Sequence, residues 1–197
     1  MNTSSLVPIF PLNTVLYPGG PLRLRIFERR YLDMIRECSR NASPFGVCQL
    51  LPSDLSGASR PSAVGTLAQI TDFYTLENGL LGISCCGGAR FSVERLSIRD
   101  SGLMLGELVL WEDEPALPVP PDHQPLSTLL ARLLDDYPEV YGTVPLQRLA
   151  DASFVGFRLS ELLPRLSRNE QQQLLETRNP IERLVQISAI LPRYHED

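Results

Sequence analysis

Apolar residues alternate with polar ones along much of the stretch up to Trp111, and from Leu126 onward they recur at helical spacing. A chain written in two periods has to fold as strands first and helices second. Leu6–Phe10 is apolar and ends at Pro11, and Tyr17-Pro18-Gly19-Gly20-Pro21 is a turn signal. Leu22, Leu24 and Ile26 then alternate with Arg23, Arg25 and Phe27, the pattern of a half-buried strand. Over Glu28–Cys38 the period becomes helical: Tyr31, Ile35 and Cys38 share a face, flanked by Leu32 and Met34, and Glu28 favours the positive end of the helix dipole. Further strands are predicted at Phe45–Leu50, Val64–Leu76, Leu80–Cys86, Ala89–Ile98 and Leu103–Trp111. Pro52–Ala63 reads as a mobile loop. Asn78-Gly79, Gly87-Gly88 and Asp100-Ser101-Gly102 read as turns. Short strands in this succession, with one early helix, predict a compact antiparallel barrel.

Glu112–Pro125 carries three acids in a row and then five prolines, the composition of a semi-rigid extended linker. Beyond it, Leu126, Leu129, Leu130, Leu133 and Leu134 mark a helix that Pro138 stops. A second helix is expected over Leu146–Leu163. Ser167 with Glu170 makes a capping box, and Asn179-Pro180 with Glu182 makes another helix start. Ile181, Leu184, Val185 and Ser188 then give one face of that last helix, which Pro192 ends.

Composition removes much chemistry. All 18 basic residues are arginine, which excludes a phosphate-loop lysine, a Schiff base and a Ser–Lys dyad. The two histidines, His123 and His195, lie in a proline-rich stretch and near the C-terminus, poor places for a rigid catalytic or metal site. Cys38, Cys48, Cys85 and Cys86 lack metal or redox spacing and read as buried apolar groups, so no metal and no cofactor are expected. A net charge of −5 argues against general nucleic-acid binding. Pro8 and Pro11 interrupt the N-terminal apolar run, and no stretch reaches the ~18 apolar residues of a membrane span, so a cytoplasmic protein is expected.

Several motifs, in order, resemble the N-terminal, substrate-binding domain of the Lon protease family. They are Phe10-Pro11-Leu12, Val15-Leu16-Tyr17-Pro18-Gly19, Leu22 and Leu24 before Ile26-Phe27-Glu28, and Arg30-Tyr31. Gly65-Thr66, Asn78-Gly79, Gly88-Ala89-Arg90-Phe91, Arg158–Pro164, Leu174–Thr177 and Glu182–Leu184 continue the series. The resemblance implies an α+β fold: a PUA-like pseudo-barrel over 1–112, the linker at 113–125 and a helical subdomain over 126–197. It implies binding of polypeptide, unfolded or tagged for degradation, and an adaptor or chaperone-like role. Lon continues into an ATPase module and a Ser–Lys protease domain; without a phosphate loop or lysine, a stand-alone, non-enzymatic member is expected.

Phe27, Glu28, Arg30, Tyr31 and Arg90 are the candidate binding residues. The first four would form a peptide-contacting corner between strand and helix. The competing assignment has Glu28 holding the helix start while Phe27 and Tyr31 pack the barrel. Arg90 is either a ligand anchor or a partner of Asp72 or Glu94. Trp111 is a binding residue or a cover for the seam, and Glu112–Glu114 is expected to be a solvated face. RNA binding is the alternative function, because PUA-like barrels elsewhere bind RNA and Arg23, Arg25, Arg29 and Arg30 form the one dense basic cluster.

Overall fold

The structure, a computed structural model, describes residues 6–52 and 60–194. The chain forms two compact units, Met1–Glu112 and Asp113–Asp197.

The first unit contains β1 (Val7–Leu12), β2 (Pro21–Ile26), α1 (Arg29–Asn41), β3 (Phe45–Leu51), β4 (Arg60–Thr75), β5 (Leu81–Ile98) and β6 (Met104–Leu110). Strand order is β2-β5-β4-β3-β1-β6, and β6 pairs back onto β5. The circuit β5-β4-β3-β1-β6 is therefore closed, with β2 attached outside it on β5. This is the expected α+β pseudo-barrel with helices following. One pair departs from the antiparallel expectation: β1 and β3 run parallel, Ile9 opposite Gly46, because the intervening β2 and α1 supply the crossover that a parallel pair needs.

The long strands make closure possible. β5 pairs first with β2 and β4, then passes to β6, bending at register shifts. It continues as strand through Gly87-Gly88, with a register shift against β4, where the sequence reading takes these residues for a turn. Gly87 instead lets two backbones approach. Its carbonyl accepts from Gly19 N (2.7 Å), and its own N–H donates to Gly20 O (2.8 Å). A Cβ at residue 87 would lie 2.1 Å from Tyr17 O, so no side chain fits there.

Alternation sorts side chains onto two faces. Ile9, Cys48 and Phe91 pack inside the ring with Leu67, Val93, Met104 and Leu108. Their neighbours Phe10, Val47, Ala68, Ile83 and Leu105 point outward, where α1 lays Tyr31, Met34, Ile35 and Cys38 against them. The interior is tight: a Cβ at Gly65 would meet Val47 O at 2.3 Å. Two boundaries differ from expectation. Pro11 lies within β1 rather than ending it. Of the loop expected over Pro52–Ala63, residues 53–59 lie outside the described residues, and Arg60–Ala63 already belong to β4.

The second unit contains α2 (Gln124–Asp135), α3 (Pro138–Tyr141), α4 (Leu146–Leu149), α5 (Ala152–Leu162), α6 (Arg168–Glu176) and α7 (Pro180–Ile190). The helix expected over Leu146–Leu163 is broken: Asp151 takes an extended conformation and caps α5 by accepting from Ser153 N. The capping box at Ser167 and Glu170 is formed, and Asn179 accepts from Ile181 N and Glu182 N. Such caps contribute about 1 kcal/mol each. Leu126, Leu130, Val155, Leu159, Leu184 and Ile187 fill the core.

Two features depart from the periodic pattern here. α7 buries Arg183 with Leu184 and Ile187, while Val185 is exposed. The 113–125 stretch is packed rather than free: Val119 is buried, Leu117 O accepts from Ala152 N, and Pro118 bridges to Asp151. Glu114, expected on a solvated face, makes a forked ion pair with Arg183 and accepts from Ser153 Oγ at 2.6 Å. Arg183 also donates to Leu174 O and Thr177 O and lies 3.9 Å over the Phe157 ring. A hydrophobicity pattern cannot register an arginine that is buried because each of its three nitrogens has a partner.

Candidate functional site

β2 ends at buried Ile26, and the chain turns outward before α1. Phe27 stands at that turn with 64% of its surface exposed. Glu28 occupies the N-cap position in extended conformation, yet its side chain caps nothing. Its carboxylate turns instead to Arg30 Nη2, 2.6 Å away, and it is the Glu28 carbonyl that accepts from Tyr31 N and Leu32 N. Arg30 Nη1 donates to Gly102 O at 3.0 Å, and the guanidinium lies 4.8 Å from the Tyr31 ring centroid. Tyr31 is buried and stacked on Phe10, centroids 3.9 Å apart. Burial raises the Tyr31 phenol above its ordinary value, Arg30 lowering it and Glu28 raising it by smaller amounts.

The four clustered candidates thus divide by role. Tyr31 anchors, Glu28 and Arg30 brace, and Phe27 is presented to solvent. Arg30 also ties the helix start to the turn between β5 and β6, and Arg99 in that turn pairs with Glu37 of α1 at 3.5 Å. Arg30 is thereby engaged locally, which leaves Arg23, Arg25 and Arg29 as the exposed members of the basic cluster.

Arg90 does not join this corner. It is buried further back on β5, opposite Thr66, with its guanidinium 4.8 Å from the Trp111 ring. Trp111 Nε1 donates to Ser92 Oγ at 2.6 Å, so this tryptophan lies against β5 of its own unit. Asp72, one partner considered for Arg90, sits opposite Ser84, and its carboxylate accepts from Phe73 N.

All four thiols are free; burial pushes Cys48 and Cys85 up to about 12 and raises Cys38 as well. Among the described residues no group of three or more His, Cys, Asp or Glu could hold a metal ion. His123 Nδ1 lies 3.1 Å from Ser188 Oγ, and His195 lies outside the described residues. Among the described residues no helix is long and apolar enough to cross a membrane.

The sequence reading missed one feature next to the corner. Leu96 and Ile98, near the end of β5, are exposed apolar residues. Their alternation with Arg95 and Ser97 signals a strand, but nothing local in the sequence shows that, among the described residues, one flank of that strand is unpaired.

The ring with its outer helix, followed by a helical unit, matches a known family. A family model described as the ATP-dependent protease La (LON) substrate-binding domain matches residues 6–193. The chain belongs to the Lon substrate-binding domain family. A Lon N-terminal domain protein from Xanthomonas campestris is similar at 39% identity, with 94% of this chain and 98% of that one covered and a TM-score of 0.79. The N-terminal domain of the Mycobacterium avium complex Lon protease shares the fold at 20% identity and a TM-score of 0.66, with coverage of 93% and 97%. In this Lon-type domain the motif Ile26-Phe27-Glu28 is the strand-to-helix corner itself, and Gly88–Phe91 runs through the middle of β5.

Proposed function

We propose that the protein recognises polypeptide, as a non-catalytic module that binds unfolded chains in an adaptor or chaperone-like role. Membership of a substrate-binding family supports this reading. The observation that carries it is the solvent-facing aromatic Phe27 on a corner braced from below by Glu28, Arg30 and Tyr31. An apolar side chain held rigidly outward loses little entropy on binding, and a flexible partner can wrap it. Phe27 is then the contact, Glu28, Arg30 and Tyr31 hold it in place, and Arg90 supports the strand behind.

The test is fluorescence anisotropy with a permanently unfolded chain, reduced and carboxymethylated α-lactalbumin, against its native form. The unfolded chain is expected to bind in the micromolar range, with little loss at high salt because the contact is apolar. Phe27→Ala should weaken it. Failure to bind the unfolded chain would remove the reading. Binding of structured RNA that falls steeply with salt would replace it.

A further inference from the structure

β5 and β4 part beyond Ser92, where β4 continues to Arg60 paired, among the described residues, with β3 alone. The last pairing of β5 with β4 is Ser92 opposite Val64, whereas its pairing with β6 continues to Ile98 opposite Met104. From Glu94 to Ile98 β5 is paired on one side only among the described residues. The hydrogen-bond phase of the hairpin fixes what the other side offers. Arg99 N donates to Leu103 O at 2.9 Å, so residues 99 and 103 form a bonded position. Bonded and non-bonded positions alternate along an antiparallel pair. Ser97 opposite Leu105 is therefore bonded, and Leu96 opposite Gly106 and Ile98 opposite Met104 are not. The N–H and C=O groups of Leu96 and Ile98 point away from β6, toward the flank that is unpaired among the described residues.

The side chains favour the same occupant. Leu96 and Ile98 project on one face, opposite Gly106 and Met104 of β6, and where the strand leaves the packed interior Ile98 is 64% exposed. The fold's other open edge, on β2, is guarded by Pro21 and the exposed Arg23 and Arg25, which is how sheets avoid stray pairing. The Leu96–Ile98 edge carries no proline, and its exposed charges, Glu94, Arg95 and Arg99, lie on either side of the apolar pair rather than at Leu96 or Ile98. It begins just past the register shift between Val93 and Arg95 and ends at the turn that Arg30 ties to α1.

We infer that Leu96–Ile98 is a strand-addition site, which takes an extended segment of an unfolded polypeptide whose alternate side chains are apolar. Main-chain hydrogen bonds to Leu96 and Ile98 supply sequence-independent affinity, and the apolar face selects every second residue. The inference rests on the polypeptide-recognition reading and names where the chain lies.

Two probes test it: the carboxymethylated α-lactalbumin above, and a fluorescent peptide of alternating valine and threonine, also made with alternate amides N-methylated. Binding is read by anisotropy and by amide hydrogen exchange. The expected result is slowed exchange at Leu96 and Ile98 but not at Arg95 and Ser97, with methylation weakening the peptide at least about tenfold. Ile98→Lys should weaken both probes comparably, while Val185→Lys, a change at an exposed apolar residue of α7, leaves them unchanged. Binding of either probe without protection of the two amides overturns strand addition and leaves polypeptide recognition standing. Absence of binding by both probes overturns both.

Discussion

Glu114→Gln removes the charge against which Arg183 is buried. The Arg183 side chain is 0% exposed and that of Glu114 is 5% exposed, so water cannot take over the lost interaction. The arginine keeps Leu174 O, Thr177 O and the Phe157 ring as partners, but a full positive charge is left without its counter-charge. Breaking a buried pair in this way costs about 3–5 kcal/mol. The exposed pair Arg36–Asp33, at 3.3 Å, provides the contrast, because Asp33→Asn should cost less than about 0.5 kcal/mol. The assay is urea unfolding followed by circular dichroism at a helical wavelength, which weights the second unit. With a slope of about 1 kcal/mol per molar urea for a unit of this size, the Glu114→Gln midpoint should fall by roughly 3 M, or the unit should be unfolded without urea. A loss under about 1 kcal/mol would refute the reasoning. It would mean that backbone carbonyls and the aromatic face alone satisfy a buried guanidinium.

Gly87→Ala places a Cβ where only 2.1 Å separates it from Tyr17 O, so thermal unfolding should show a loss of at least about 1–3 kcal/mol; an unchanged midpoint would show that β5 is not pinned against the Tyr17–Pro21 turn. Burial holds the Glu161 carboxyl above its ordinary value, although Arg158 and the Tyr141 hydroxyl pull it down. The folded state therefore binds this proton more tightly than the unfolded chain does. Its contribution to stability falls as pH rises from the ordinary glutamate value through the raised one, then levels off. The difference in unfolding free energy between the wild type and Glu161→Gln, followed across acid pH, should decline over that window; a flat or rising difference would contradict the assignment.

Part of the candidate corner was legible in the sequence. Phe27, Glu28, Arg30 and Tyr31 stand together where the period changes from strand to helix, and the structure keeps them together. Their division of labour was not legible. Glu28 could cap α1 or pair with Arg30, and only the position of Gly102, brought in by the turn between β5 and β6, orients Arg30 so that pairing wins. Arg90 shares the family motif but not the location, because β5 carries it to the Trp111 end of the ring.

The sequence by itself determined the features whose partners lie within a few residues. These are the strand-then-helix order, the α1 face, the capping box at Ser167 and the cap at Asn179. Such signals are complete in a short window because the hydrogen bonds they describe close within it. Tertiary structure decided what depends on distant backbone. Gly87 is a contact point rather than a turn because Tyr17 arrives beside it. Arg183 belongs to the core because Glu114, far away in sequence, meets its fork. Leu96 and Ile98 are exposed because β4 stops pairing with β5 at Val64 while β6 continues alongside. In each case the composition of a residue's own neighbourhood is ordinary, and what gives it a role is which remote segment does or does not come to lie against it.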